Sequence, residues 1–225
     1  MGRFTGQSLT FALFLALSML AGMAVREYVR ALAAARFGDP TPRLWGRLSL
    51  DPRHWFEPFG SGLLPGLILV LWAANAGFLP PPVAYAKPAP VDPSYLRRQP
   101  RDTVLVSVAG PLANLVLAAL AGLALRVVPL GASLQLVRFL VAWELVNMSL
   151  AVFHLLPVPG LDGARLVALV LPPAARETYR NLDQYLPLFA LVALFLLAGP
   201  IQAIVYGLVN ALCNLFSGAR CFPPP

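Results

Sequence analysis

Apolar residues run along this chain in long stretches, not in the alternation of a half-buried strand or the single stripe of a surface helix. Ser8 to Val25 carries no charge, and Thr103 to Val127 and Leu134 to Leu156 are of similar length. Each can cross a bilayer as a helix, which takes roughly 20 apolar residues. Leu186 to Phe216 is apolar for most of its length but broken at Gly199-Pro200, which predicts one kinked helix or a span followed by a shorter segment. Ser61 to Leu79 contains Pro65-Gly66 and ends in Asn75-Ala76-Gly77, so it reads as a re-entrant hairpin more readily than as a crossing. In Gly38 to Gly60, Leu44, Gly46, Leu48 and Leu50 alternate with Trp45, Arg47 and Ser49, the pattern of short extended strands at the membrane surface. Pro80-Pro81-Pro82 opens a polar, proline-rich segment to Arg101, expected to be an extended linker or a pocket-lining loop. The expected fold class is an all-α multi-pass membrane protein with a short membrane-associated β segment, residues 1–225 forming one integral membrane domain.

Composition agrees. Of 225 residues 58% are hydrophobic and 12% charged, which excludes a water-soluble domain. The net charge of +7 comes from Arg at all but one of its positive positions, with no basic run interleaved with aromatics, so lipids are the expected partners and nucleic acid is not. Charge also orients the chain. Only Arg3 precedes the first apolar run, whereas Arg26, Arg30, Arg36, Arg43, Arg47 and Arg53 follow it, the reverse of a cleaved signal peptide. With the 61–79 run folded back, the 26–60, 80–102 and 157–185 loops share one side and hold most of the positive residues. The expectation is a cell-membrane protein with its N-terminus outside and those loops in the cytoplasm. Cys213 and Cys221 are too few to define a zinc site or a redox compartment and are expected to be incidental.

Three places are unusual for a lipid-facing bundle. Arg26-Glu27-Tyr28-Val29-Arg30 sets two cations at i and i+4 around a carboxylate. Ala109-Gly110-Pro111-Leu112-Ala113-Asn114 combines small residues with an amide, suited to close helix contact. His154-Leu155-Leu156-Pro157-Val158-Pro159-Gly160-Leu161-Asp162-Gly163 ends a spanning helix, runs extended through two prolines and presents an acid. Glu144, Asn147 and His154 share one helix face, which glues helices or lines a polar cavity.

In this order, and with Gly38-Asp39-Pro40 and Ala86-Lys87-Pro88-Ala89-Pro90-Val91, these segments resemble the compact branch of the site-2 protease family, the intramembrane zinc metalloproteases. The resemblance covers Val25 to Leu171. It implies a helical membrane core in which the first-helix motif and the Leu161-Asp162-Gly163 segment converge on a site facing the cytoplasm. It also implies that Glu27 matches the general base of the family's H-E-x-x-H motif and Asp162 its carboxylate zinc ligand. The two histidines have no match, because Arg26 and Arg30 stand in their places, and His154 stands where the family has Asn.

A protonated guanidinium has no lone pair for zinc. Two Arg supply the same +2 that zinc would bring beside two carboxylates, so the expectation is an ion-pair lock of Arg26, Arg30, Glu27 and Asp162 with no metal or other cofactor. Asn114, Asn147, His154, Pro157 and Pro159 are candidates for a cleft binding a transmembrane peptide or membrane protein. The functional expectation is a pseudoprotease that binds or scaffolds membrane peptides. Three alternatives stay open: an active intramembrane metalloendopeptidase with Glu27, His154 and Asp162 as metal ligands; a structural subunit of a membrane complex; and Arg26 and Arg30 merely snorkelling to lipid phosphates.

Overall fold

Thirty-one residues from Gly6 to Arg36 form α1, with no proline to interrupt the backbone ladder. The computed structural model describes residues 6–74, 80–129, 131–192 and 198–222. α1 closes at Gly38, whose φ of +115° suits glycine, and the Asp39 amide reaches back to the Ala34 carbonyl at 3.0 Å. The buried Asp39 carboxylate then accepts the Thr41 amide at 2.9 Å and the Asp92 amide at 2.8 Å, tying this turn to a segment fifty residues further on.

The strands expected between Gly38 and Gly60 are not formed, and no β-strand occurs among the described residues. In their place are two single helical turns, α2 (Thr41–Leu44) and α3 (Pro52–Trp55). Each has a proline in its first turn, where a missing N–H costs nothing, and the Asp51 carboxylate caps α3 through the Arg53 amide at 2.9 Å. Alternation without a partner strand does not outweigh these local caps.

A π-helical turn (Pro58–Leu63) leads into α4 (Leu64–Ala73). The turn expected at Asn75-Ala76-Gly77 lies outside the described residues. From Pro80 the chain returns extended: Trp72 Nε1 donates to the Pro80 carbonyl at 2.9 Å, Tyr85 N to Gly60 O at 3.1 Å, and Lys87 N to Trp55 O at 2.8 Å. The segment thus ends beside the residues from which it left. Residues 80–86 are buried, so this part of the proline-rich stretch is core and not linker. A chain lacking several N–H groups can be buried extended without a ladder to complete.

α5 (Arg101–Val127) and α6 (Leu134–Leu155), with α1, are the three described helices long and apolar enough to span a membrane. They pack on one another around Leu15, Met19, Met23, Ala118, Leu145 and Met148. α7 (Asp162–Val170) and α8 (Pro173–Asn181) follow, then a 3-10 turn, α9 (Leu186–Leu191) and α10 (Ala198–Phe216). Gly199-Pro200, expected at a kink, falls in the first turn of α10, and the 193–197 junction lies outside the described residues.

Cys213 and Cys221, read from sequence as incidental, form a disulfide that pins the C-terminal residues to α10. Phe222 then stacks on Tyr206 with ring centroids 4.1 Å apart. Arg126, at the end of α5, donates to the Leu215 carbonyl at 2.6 Å. The other end of α5 lies near the end of α1, where Arg97 N donates to Phe37 O at 3.2 Å. The disulfide and the 36–39 turn are therefore at opposite ends of the bundle.

Candidate functional site

α1 and α5 approach closely because glycines remove the side chains between them. A Cβ on Gly110 would lie 2.9 Å from Arg26 Cγ, and one on Gly22 would lie 2.8 Å from Asn147 Oδ1. Small residues serve this purpose where apolar attraction between helices is lacking. Asn114 Nδ2 donates to the Gly22 carbonyl at 3.2 Å and to Asn147 Oδ1 at 2.9 Å, while Asn147 Nδ2 donates to Trp143 O at 2.9 Å. Two of the cleft candidates, Asn114 and Asn147, thus bond to each other and knot α1, α5 and α6 one turn from Arg26.

The fourth wall is α7. Gly160, with φ +89°, turns the chain after Pro157 and Pro159, and Asp162 stands in the first turn of α7, where the helix dipole favours a carboxylate. Gly163 fixes that position: a Cβ there would lie 2.2 Å from Leu155 O and 2.4 Å from Leu156 O. Both neighbours are backbone, so no rotamer change relieves the clash. Gly163→Ala should therefore destabilise the fold by about 3 kcal/mol, read from unfolding in detergent. Gly66→Ala, in a helix and with nothing near its Cβ, should be neutral or stabilising by about 0.5–1 kcal/mol.

These constraints bring Arg26, Glu27, Arg30 and Asp162 together, with relative exposures of 4%, 3%, 1% and 2%. Arg26 bridges the two carboxylates, Nη1 to Glu27 Oε1 and Nη2 to Asp162 Oδ2. Arg30 bridges them from the next turn, with Nη1 3.7 Å from Glu27 Oε2 and Nε 3.4 Å from Asp162 Oδ1. Each guanidinium thus spans two acids instead of pairing with one. Glu27 Oε2 also accepts the Ala89 amide at 3.1 Å, a backbone contact from the 86–91 loop that side-chain chemistry in the sequence does not reveal. Arg26 Nε and Arg30 Nη2 have no hydrogen-bond partner.

His154 is buried and sets Nδ1 3.0 Å from the Leu150 carbonyl, with Nε2 unpartnered. The structure does not bring it together with Glu27 and Asp162 as a metal set. The three-ligand cluster within 4.8 Å among the described residues is Glu144 with Cys213 and Cys221, whose sulfurs are joined in a disulfide and offer no thiolate. Pro157 is exposed, and its carbonyl accepts the Tyr179 hydroxyl at 2.7 Å, whereas Pro159 is buried. Zinc, the metal that the motif likeness implies, does not fit the donors present at the Arg26 and Arg30 positions, since neither side chain has a lone pair to give.

No family model and no solved structure matches the chain. Curated relatives do. The protein named "Putative zinc metalloprotease YwhC" of Bacillus subtilis (strain 168) is 32% identical over 193 residues, covering 82% of this chain and 81% of that protein. "Putative zinc metalloprotease Rip2" of Mycobacterium tuberculosis (strain ATCC 25618 / H37Rv) is 33% identical over 199 residues, covering 87% of this chain and 71% of its own length. With identity at this level over most of both sequences, three candidate membrane spans and the motifs in the same chain, the protein belongs to the site-2 protease family of membrane proteins.

Proposed function

We propose that this chain is a pseudoprotease, in which an arginine–carboxylate lock takes the place of the family's zinc centre and the remaining function is to bind membrane peptides or proteins. The observation that carries this reading is that both acids available to a metalloprotease mechanism, Glu27 and Asp162, are engaged by guanidinium groups from one helix. A general base must reach a water or a substrate proton, and Glu27 spends one oxygen on Arg26 and the other on Arg30 and the Ala89 amide. Two cations beside two anions leave the cluster neutral. That permits its burial, because an unpaired ion there would cost several kcal/mol.

The lock joins α1 to α7 and so holds closed the junction at which a metal would otherwise be held. In this reading the N-terminus is outside and the locked site faces the cytoplasm, with the 61–79 run re-entrant from that side. The disulfide then lies at the extracytoplasmic end, the side on which disulfides persist. Purified protein in lipid nanodiscs, incubated with single-span membrane peptides, should bind them and leave their masses unchanged. Cleavage products that disappear in Glu27→Gln would overturn the assignment.

A further inference from the structure

Near the lock, but lined by none of its four residues, is a cavity of about 270 Å³. Its lining combines apolar residues, Val91, Leu96, Val106, Ala168 and Leu169, with three arginines, Arg165, Arg176 and Arg180, and a single carboxylate, Asp183. Asp183, exposed beside Arg180, accepts the Gly160 amide at 2.7 Å.

Polar atoms of the lining residues also lack partners within the protein. Arg176 places Nη2 on the carbonyls of Leu169 at 3.4 Å and Leu171 at 3.1 Å, which caps α7, yet its Nε is buried without a partner. The Thr103 hydroxyl is likewise buried and unpartnered. Arg165 has neither hydrogen bond nor ion pair among the described residues. Unpartnered buried polar groups are uncommon in native structures and call for an explanation. Both atoms belong to residues that line one cavity, and the three guanidiniums against one carboxylate there point to an anionic acceptor.

We propose that this cavity binds a phosphate group carried on a short apolar stem. That is the chemistry of an anionic phospholipid headgroup, and also of a small soluble phosphorylated molecule. Three guanidiniums against one carboxylate suit phosphate, which offers several acceptor oxygens at once. The volume is just under that of pockets enclosing drug-sized ligands, so it holds a headgroup and its first carbons while a longer tail lies outside. Thr103 and Val106 belong to the first two turns of a spanning helix, which sets the cavity at the membrane boundary where lipid phosphates lie. A ligand there contacts α5, α7 and α8 together, and α7 begins at Asp162. The proposal stands whether or not the lock replaces zinc.

The test uses the purified full chain in a neutral detergent, titrated separately with phosphatidylglycerol, phosphatidylcholine and inorganic phosphate, with bound species counted by native mass spectrometry. Arg165→Gln/Arg180→Gln leaves the α7 cap of Arg176 in place, and circular dichroism verifies its fold. Phosphatidylglycerol should bind the wild type about tenfold more tightly than this variant, with phosphatidylcholine indifferent to the change. Binding of inorganic phosphate that is lost in the variant, without a lipid preference, supports the site and names a soluble ligand as its source. The proposal is overturned if the wild type prefers neither phosphatidylglycerol nor phosphate, or if the double variant binds as well as the wild type.

Discussion

Asp162→Ala should lower the stability of the protein by about 3–5 kcal/mol, because it leaves two buried guanidiniums facing one carboxylate. Arg26 loses its Nη2 partner and Arg30 the contact from Nε, while burial leaves little water to replace either. The magnitude decides between two accounts of the arginines. An exposed pair at the membrane surface is worth at most about 1 kcal/mol, so a small loss would mean that Arg26 and Arg30 reach lipid phosphates instead. Replacing partners together distinguishes a lock from a general need for polarity. Arg26→Met/Arg30→Met/Glu27→Leu/Asp162→Leu should cost much less than the sum of its single changes, since apolar residues of similar volume substitute for buried ion pairs nearly neutrally. Equilibrium unfolding in mixed micelles measures both quantities.

Several features of this protein are written in local sequence and others are not. α1, α5 and α6 are readable because each run matches the thickness of a bilayer, and only a helix satisfies its own backbone there. The facing of Arg26, Glu27 and Arg30 follows from helix period alone. Their meeting with Asp162 does not, because it depends on Gly110 admitting α1 against α5 and on Gly163 seating α7 against the carbonyls that end α6. Alternation at Leu44 to Leu50 misleads, since period two is also produced by a loop whose direction is set by Pro42 and Pro52. The burial of residues 80–86 is hidden by their prolines, which resemble linker composition yet suit a core segment that has no neighbouring strand. The Cys213–Cys221 bond carries no sequence signal beyond two cysteines, because pairing depends on where the tail folds back over α10.

The largest change of state is expected from Arg26→His/Arg30→His. It places two imidazoles at i and i+4 on the face of α1 that meets Asp162, and restores the H-E-x-x-H spacing around Glu27. Two His and one carboxylate form a three-ligand set for zinc that leaves one position for water. Asp162→Ala on that background should then abolish metal retention. Without metal, the double variant should be less stable than the wild type, since it has removed both cations from beside Glu27 and Asp162.

The most direct measurement is elemental analysis of the wild type and of Arg26→His/Arg30→His, each purified without chelator and dialysed against trace zinc. The wild type should retain far less than one zinc per chain and the double variant about one. Stoichiometric zinc in the wild type would contradict the substitution of arginine for metal.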